Sequence, residues 1–251
     1  MLEKLEIERE FDFSELCQRL DRVQLRGFPG VCVYAGANKE IRRLKAEVRE
    51  VLDTPQPIVH QSFIDRINRM AQLFLEKGID IFSLKGGVDY TAFDETGQAT
   101  RWTIIPPVIE CFKLFFDRGG IDYDLAIGEQ LRSFMVEKGF SLNPQLRDPR
   151  LSLGRSHGYN DINIINDGSH RVHAAYLAGK SQNLLFASQL NPGFPYYAAP
   201  QRYSEVMVLP ERPPEGAKGK IHILTDPGHK ALYRVFPTGG IHSGDVRPEK
   251  K

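Results

Sequence analysis

A short polar segment, residues 167–171, combines residue types that could bind a phosphate group: Asp, Gly, Ser, His and Arg in succession. Gly168 would let the backbone approach a ligand closely, and Ser169 could donate its hydroxyl. His170 and Arg171 could add charge-assisted hydrogen bonds, and an arginine can bind two phosphate oxygens at once. Asp167 could hold a metal ion, cap a helix or orient His170. The segment predicts a phosphate-binding site.

The flanking sequence predicts a strand, a tight turn and a helix around this segment. In residues 161–166, the isoleucines at 162 and 164 alternate with polar residues, as in a half-buried strand. Val172, Ala175, Tyr176 and Gly179 recur at helical spacing. The polar residues would then occupy the turn and the first helical positions. Backbone amides at a helix start have no internal partner, and the helix dipole adds partial positive charge, so this is a suitable place for an anion.

Structural capping is the alternative explanation for the same residues. Asp-Gly is a common turn, and Asp or Ser frequently caps a helix. Two cationic donors directly after the cap, His170 and Arg171, gain little without an anion. Their presence favours the phosphate-binding interpretation.

The segment 167–171, followed by Ala174-Ala175 and Gly179, resembles the signature of the ParB/sulfiredoxin superfamily. Members of that superfamily share a strand–turn–helix with a DGxHR-type or GxxR-type core that binds nucleotide phosphates. The resemblance extends over residues 161–180. It implies an α+β fold, a ParB/sulfiredoxin-like mixed sheet with packed helices, and ATP with Mg²⁺ as cofactors. Under it, residues 168–171 would hold the nucleotide, and Asp167 would help to place Mg²⁺ or the motif itself.

Two departures from the superfamily narrow the expected function. Sulfiredoxins carry a catalytic cysteine inside the motif, where this chain has Ser169. Partitioning proteins continue into a basic helix-turn-helix region, whereas the chain after Lys180 is broken by prolines. The expected function is therefore an ATP-dependent phosphotransferase acting on a small hydroxyl-bearing substrate, with His170 and Arg171 neutralising charge. There are two alternatives. One is a nucleic-acid-associated ParB-like regulator or nuclease-like protein that uses the same phosphate site. The other is a protein-interaction module.

Further residues could complete the site. Arg155 and His157 lie just before the predicted strand and could form a second wall of the phosphate pocket, or belong to a solvated loop. Glu110 follows Pro106-Pro107, which predict the start of a helix. Glu110 could act as a general base, or it could only stabilise the helix through the favourable interaction of its negative charge with the helix N-terminus. We predict no metal site from His170 and His173, because no carboxylate lies at matching spacing.

An aromatic group near residue 200 could stack on a base or pack as a loop. Its members are Phe194, Tyr196, Tyr197 and Tyr203, with Arg202 beside them.

Periodicity elsewhere predicts a mainly helical N-terminal region over residues 1–78 and a ParB/sulfiredoxin-like domain with a C-terminal extension over residues 79–251. Helices are predicted from Asn38 to Leu52 and from Phe63 to Leu75, the second ending at Gly78. Short strands are predicted at 31–34 and 79–84, and a turn at 94–97 joins two extended segments.

Composition predicts an ordinary soluble globular protein. The 251 residues are 41% hydrophobic and 26% charged, with a formal net charge of +1, so no global field attracts nucleic acid or anionic lipid. The three cysteines are far apart and suggest neither zinc nor disulfides. With no signal peptide and no apolar run of membrane-spanning length, we expect a cytoplasmic protein whose partners are a nucleotide and a small molecule.

Overall fold

A computed structural model describes ten stretches of the chain: 2–26, 28–46, 52–54, 58–113, 116–117, 120–121, 161–188, 201–203, 206–209 and 234–235. Within them the chain forms three helices: α1 (Phe13–Leu20), α2 (Gln61–Leu75) and α3 (Ser169–Leu177). No described helix is both long and apolar enough to cross a bilayer.

The described strands precede and follow these helices in chain order. The strands before the gap at 122–160 are β1 (Leu2–Phe11), β2 (Gln24–Leu25), β3 (Phe28–Cys32), β4 (Asn38–Leu44), β5 (Asp53–Thr54), β6 (Ile58–His60), β7 (Gly87–Asp94), β8 (Ala99–Ile104), β9 (Val108–Lys113), β10 (Phe116–Asp117) and β11 (Gly120–Ile121). Those after it are β12 (Asp161–Asp167), β13 (Gln182–Ser188), β14 (Gln201–Arg202), β15 (Met207–Leu209) and β16 (Arg234–Val235).

The largest sheet has six strands in the order β14-β5-β12-β9-β13-β4. Strand β12 runs antiparallel to β9 and parallel to β5, whereas β13 runs parallel to β9 and antiparallel to β4. The predicted α+β class with a mixed sheet is confirmed at this level.

A second sheet, β1-β7-β8, is antiparallel throughout. It is attached to α1 by a group of charged side chains. Arg19 of α1 donates two hydrogen bonds to Asp89 of β7, at 2.9 and 2.8 Å, and Thr103 of β8 donates to the same carboxylate. Hydrogen bonding to Arg19 lowers the pKa of Asp89 to about 2, so this carboxylate stays ionised at neutral pH. Smaller sheets pair β2 with β3 and β16, β6 with β15, and β10 with β11.

The two faces of the six-stranded sheet bury different apolar clusters, because successive strand side chains point to opposite sides. Val108, Ile164, Leu185 and Ala187 pack in one cluster with residues of α1. The residues next to them in the strands pack on the other face of the sheet, where they form a cluster with Val172 of α3. These residues are Ile109, Ile165, Leu184 and Phe186. Helix α3 therefore covers one face of the sheet, and α1 covers the opposite face.

Several predicted elements are confirmed. Helix α2 covers the predicted span, and Gly78 follows it with a left-handed φ of 80°. The turn at 94–97 joins β7 and β8. Strand β12 and helix α3 lie where the alternation and the helical spacing placed them. The short strand predicted at 31–34 is displaced towards the N-terminus, because β3 ends at Cys32 and a turn follows.

Three predicted elements are wrong. The helix expected from Asn38 is strand β4, whose seven residues all pair with β13. The strand expected at 79–84 is a turn, because the Asp80 carboxylate accepts the Phe82 amide and the Asp80 carbonyl accepts the Ser83 amide. The helix expected after Pro106-Pro107 is strand β9, which lies between β12 and β13. In β4 and β9 the pairing partners come from residues 161–188, so tertiary pairing overrides the local pattern.

The described part of residues 1–78 contains two helices and six strands, which differs from the mainly helical region predicted there. Strand pairing crosses the boundary predicted at residue 78: β1 pairs with β7, β4 with β13, and β5 with β12. The sequence also predicts a helix with Leu125, Leu131 and Phe134 as core contacts and an extended segment from Lys220 to Leu224. Both lie outside the described residues.

Candidate functional site

The candidate site lies where β12 passes into α3, and Gly168 makes this junction. Its φ of 86° lies in the left-handed region, which glycine adopts without strain. A Cβ atom on Gly168 would lie 2.8 Å from Cβ of Pro107 and 3.0 Å from Nη2 of Arg171. Only a glycine therefore fits here, for reasons of both conformation and space.

The N-cap position of α3 is occupied by a glycine. This residue, Gly168, makes no side-chain hydrogen bond to the helix. The first hydrogen bond of the helical ladder runs from the Val172 amide to the Gly168 carbonyl at 2.9 Å, so the amides of residues 169–171 precede the ladder. The N-cap position itself is therefore taken by Gly168 and not by Asp167 or Ser169, the two residues expected to cap the helix.

Asp167 and Arg171 form a buried ion pair beneath this turn. Nη2 of Arg171 lies 2.8 Å from Oδ2 of Asp167, with the side chains 4% and 2% exposed. The same guanidinium donates through Nη1 to the carbonyl oxygen of Ile105. Burial lowers the pKa of Arg171, opposed by the nearby Asp167 charge. The pair therefore ties the β12–α3 junction to the loop that precedes β9.

His170 points into the protein and is not a cationic donor. Its ring lies 5.0 Å from that of Phe63 in α2, and its Nε2 accepts the backbone amide of His60 at 3.5 Å. Burial, with smaller contributions from His60 and His173, lowers the pKa of His170 to about 4. The neutral imidazole at pH 7 differs from the charge-assisted donor expected from the sequence.

Tyr203 contacts the start of α3 from a distant part of the chain. Its hydroxyl donates to the Ser169 carbonyl at 2.6 Å, and its ring centroid lies 5.9 Å from that of His173. Because Tyr203 is fully buried, it does not stack on a base, and the packed alternative is the correct one for this residue. Its contact was missed because no local pattern links two residues 34 positions apart. The other aromatic side chains of the predicted group, and that of Arg202, lie outside the described residues.

Glu110 does not lie at a helix start, as expected, but within strand β9. It is 2% exposed, and its Cα register partners are Ile164 and Ala187, both of the cluster on the α1 face. The alternation of strand side chains therefore places Glu110 on the face opposite α3. It is not positioned to serve as a base for the α3 site. Arg155 and His157 lie outside the described residues.

The structure places Asp167, the residue expected to help to place Mg²⁺ or the motif itself, against Arg171. One of its oxygens binds Arg171, and its side chain is almost completely buried. In the described part of the chain, no group of three or more His, Cys, Asp and Glu side chains could hold a metal ion. The geometry assigns Asp167 to the ion pair.

Comparison of the chain with protein-family models, with curated proteins and with solved structures finds no match. The ParB/sulfiredoxin resemblance therefore depends on the residues of the motif themselves.

Proposed function

We propose that the chain binds the phosphate groups of a nucleotide at the first turn of α3. The observation that carries this proposal is a helix start with a glycine N-cap and three amides ahead of the helical ladder. Such amides, together with the partial positive charge of the helix dipole, favour a phosphate group. The arrangement agrees with the motif resemblance at residues 167–171.

Within this proposal the backbone binds the phosphate, and the side chains hold the backbone in place. Gly168 permits the left-handed turn and the close approach of Pro107 and Arg171 that together shape the helix start. The Arg171–Asp167 pair and the hydrogen bond from the Tyr203 hydroxyl hold the first turn of α3 on its buried side. Ser169 adds a hydroxyl donor at the first helical position.

The reaction that we propose is phosphoryl transfer from ATP to a small hydroxyl-bearing molecule, by resemblance to the kinases of the superfamily. ATP suits the site because its phosphates are the anions that the helix start favours. Mg²⁺ would accompany ATP in this reaction, and we assign no described residue as its ligand, because Oδ2 of Asp167 binds Arg171. The base that activates the acceptor hydroxyl is neither Asp167 nor Glu110.

Isothermal titration of ATP, ADP and CTP tests the proposal with two variants that add the same charge. Circular dichroism confirms that each variant is folded, because Ser169 is only 9% exposed. Ser169→Asp places a negative charge at the first turn of α3, where the helix dipole favours it but a bound phosphate repels it. Ser62→Asp places the same charge at the first turn of α2, where Ser62 is exposed. We expect nucleotide binding by wild type and Ser62→Asp, and at least about tenfold weaker binding by Ser169→Asp.

The folded wild type binding none of the three nucleotides would overturn the proposal. Equal binding by Ser169→Asp and Ser62→Asp would move the nucleotide site away from α3. If a nucleotide binds as expected, radiolabelled ATP with a panel of small alcohols then tests the transfer reaction.

A further inference from the structure

A turn between α2 and β7 brings together basic side chains from three separate parts of the chain. Residues 81–84 of this turn lie against the start of β13. The Asn183 amide donates to the Phe82 carbonyl at 2.8 Å. The Asn183 side chain donates to the carbonyls of Ser83 and Leu84, at 2.9 and 3.1 Å. The turn is therefore fixed to the sheet by three hydrogen bonds.

Two cations contact this turn directly. Arg43 of β4 donates through Nη1 to the Ser83 hydroxyl at 3.3 Å. The Nζ of Lys180, just after α3, lies 5.3 Å from the centre of the Phe82 ring. Both side chains belong to exposed residues, so the charges face solvent while neutral groups hold them in position.

Two more exposed lysines, Lys45 and Lys85, are close in sequence to residues of the turn or of the strands beside it. Lys45 comes directly after Leu44, whose Cα partner Gln182 is two residues after Lys180. Lys85 follows Leu84 of the turn. We call Arg43, Lys45, Lys85 and Lys180 the basic patch. The Asp80 carboxylate of the turn accepts hydrogen bonds from the Phe82 amide and the Ser83 hydroxyl.

We propose that the basic patch binds the phosphate backbone of nucleic acid without reading its sequence. The chain carries a net charge of only +1, so two cations that contact one turn, with two more exposed lysines adjacent in the chain, concentrate positive potential locally. Phe82 is 2% exposed, so the turn offers charge and hydrogen-bond donors but no open aromatic surface. Those groups suit phosphates, which bind to Lys and Arg with release of counterions. This binding is independent of the site at α3.

A peptide is a poorer occupant of the same surface. A peptide that paired with the sheet here would extend it along β4, one of the two edge strands of the six-stranded sheet. Charged side chains on an edge strand disfavour that pairing. A competing explanation is that these charges only protect the β4 edge from pairing with other chains. It predicts no nucleic-acid binding, so the experiment below distinguishes it from the proposal.

The test is fluorescence anisotropy of a labelled DNA duplex of arbitrary sequence with the full chain, from 50 to 300 mM NaCl. We expect the logarithm of the binding constant to fall linearly with the logarithm of the salt concentration, with a slope of about −3.6 for four cations. The double substitution Arg43→Glu with Lys180→Glu should weaken binding at 50 mM NaCl at least about tenfold and bring the slope closer to zero by about 2.

Arg22→Glu with Arg26→Glu is the matched control, because both residues are exposed and the net charge changes equally. Circular dichroism confirms that each variant is folded. No binding by wild type at 50 mM NaCl, or equal losses in the two double variants, would overturn the proposal. Displacement of the duplex by polyglutamate at equal charge concentration would show that the patch takes acidic polypeptides, and would overturn the assignment to nucleic acid.

Discussion

At the scale of single residues, burial decides what the side chains at the start of α3 can do. The sequence suggested two positive charges, on His170 and Arg171, pointing at a ligand. Both side chains instead turn inward, where His170 contacts Phe63 and Arg171 binds Asp167. A charge leaves water at a high free-energy cost, so the arginine needs its carboxylate and the histidine remains neutral.

The pKa of His170 makes a prediction about acid stability. Its folded-state value of about 4 lies below the ordinary value of 6.5, so the unfolded chain binds more protons between these two pH values. The stabilisation is complete above about pH 6.5 and is lost as the pH falls towards 4. We expect it to reach about 3 kcal/mol at most.

Urea unfolding at pH 7 and pH 4.5 measures this contribution. His170→Leu removes the titrating group, so its unfolding free energy should fall less between the two pH values than that of wild type. Parallel pH profiles for the two proteins would show that His170 is not the buried neutral group described above.

At the scale of elements, the β12–α3 junction depends on the close approach of Gly168 to Pro107. Gly97 offers a matched comparison, because it also has a positive φ, of 78°, but nothing lies within 4 Å of its Cβ position. Gly97→Ala should lose about 1 kcal/mol of unfolding free energy through backbone strain alone. Gly168→Ala should lose about 3 kcal/mol, because overpacking adds to the same strain.

Denaturant titrations of the two variants and wild type separate the free-energy cost of backbone strain from that of overpacking. Equal losses would mean that the loop carrying Pro107 moves aside, and that the junction is less tightly packed than the 2.8 Å contact indicates.

At the scale of the whole molecule, the six-stranded sheet takes strands from both ends of the described chain. Strands β4 and β5 lie before residue 78, and β9, β12 and β13 lie after it. Neither half can complete the sheet, so we expect fragments 1–78 and 79–251 to lack cooperative unfolding when produced separately. Circular dichroism melts of each fragment check this, with the full chain as the control. A cooperative transition in either fragment would restore the predicted boundary as that of an independent domain.

The parts of the fold that were predictable are those whose patterns are local. Alternating isoleucines defined β12, and a single apolar face defined α2, because each element's own side chains meet one face of the core. The spacing of apolar residues from Asn38 to Leu44 is compatible with both a helix and a strand. The pairing of this segment with β13 decides for the strand. Pro106-Pro107 can open a helix or precede a strand, and the position of β9 inside the sheet decides that case.

The sequence by itself determined the strand–turn–helix around Gly168 and the concentration of polar residues there. Periodicity and turn chemistry act over a few residues and are legible in the chain. Only the tertiary structure decided that Arg171 faces Asp167 and Ile105, that His170 is neutral, that Tyr203 holds the first turn, and that Glu110 lies across the sheet. Each of these depends on which distant residues share a buried volume, and burial sets the charge, direction and partners of a polar group.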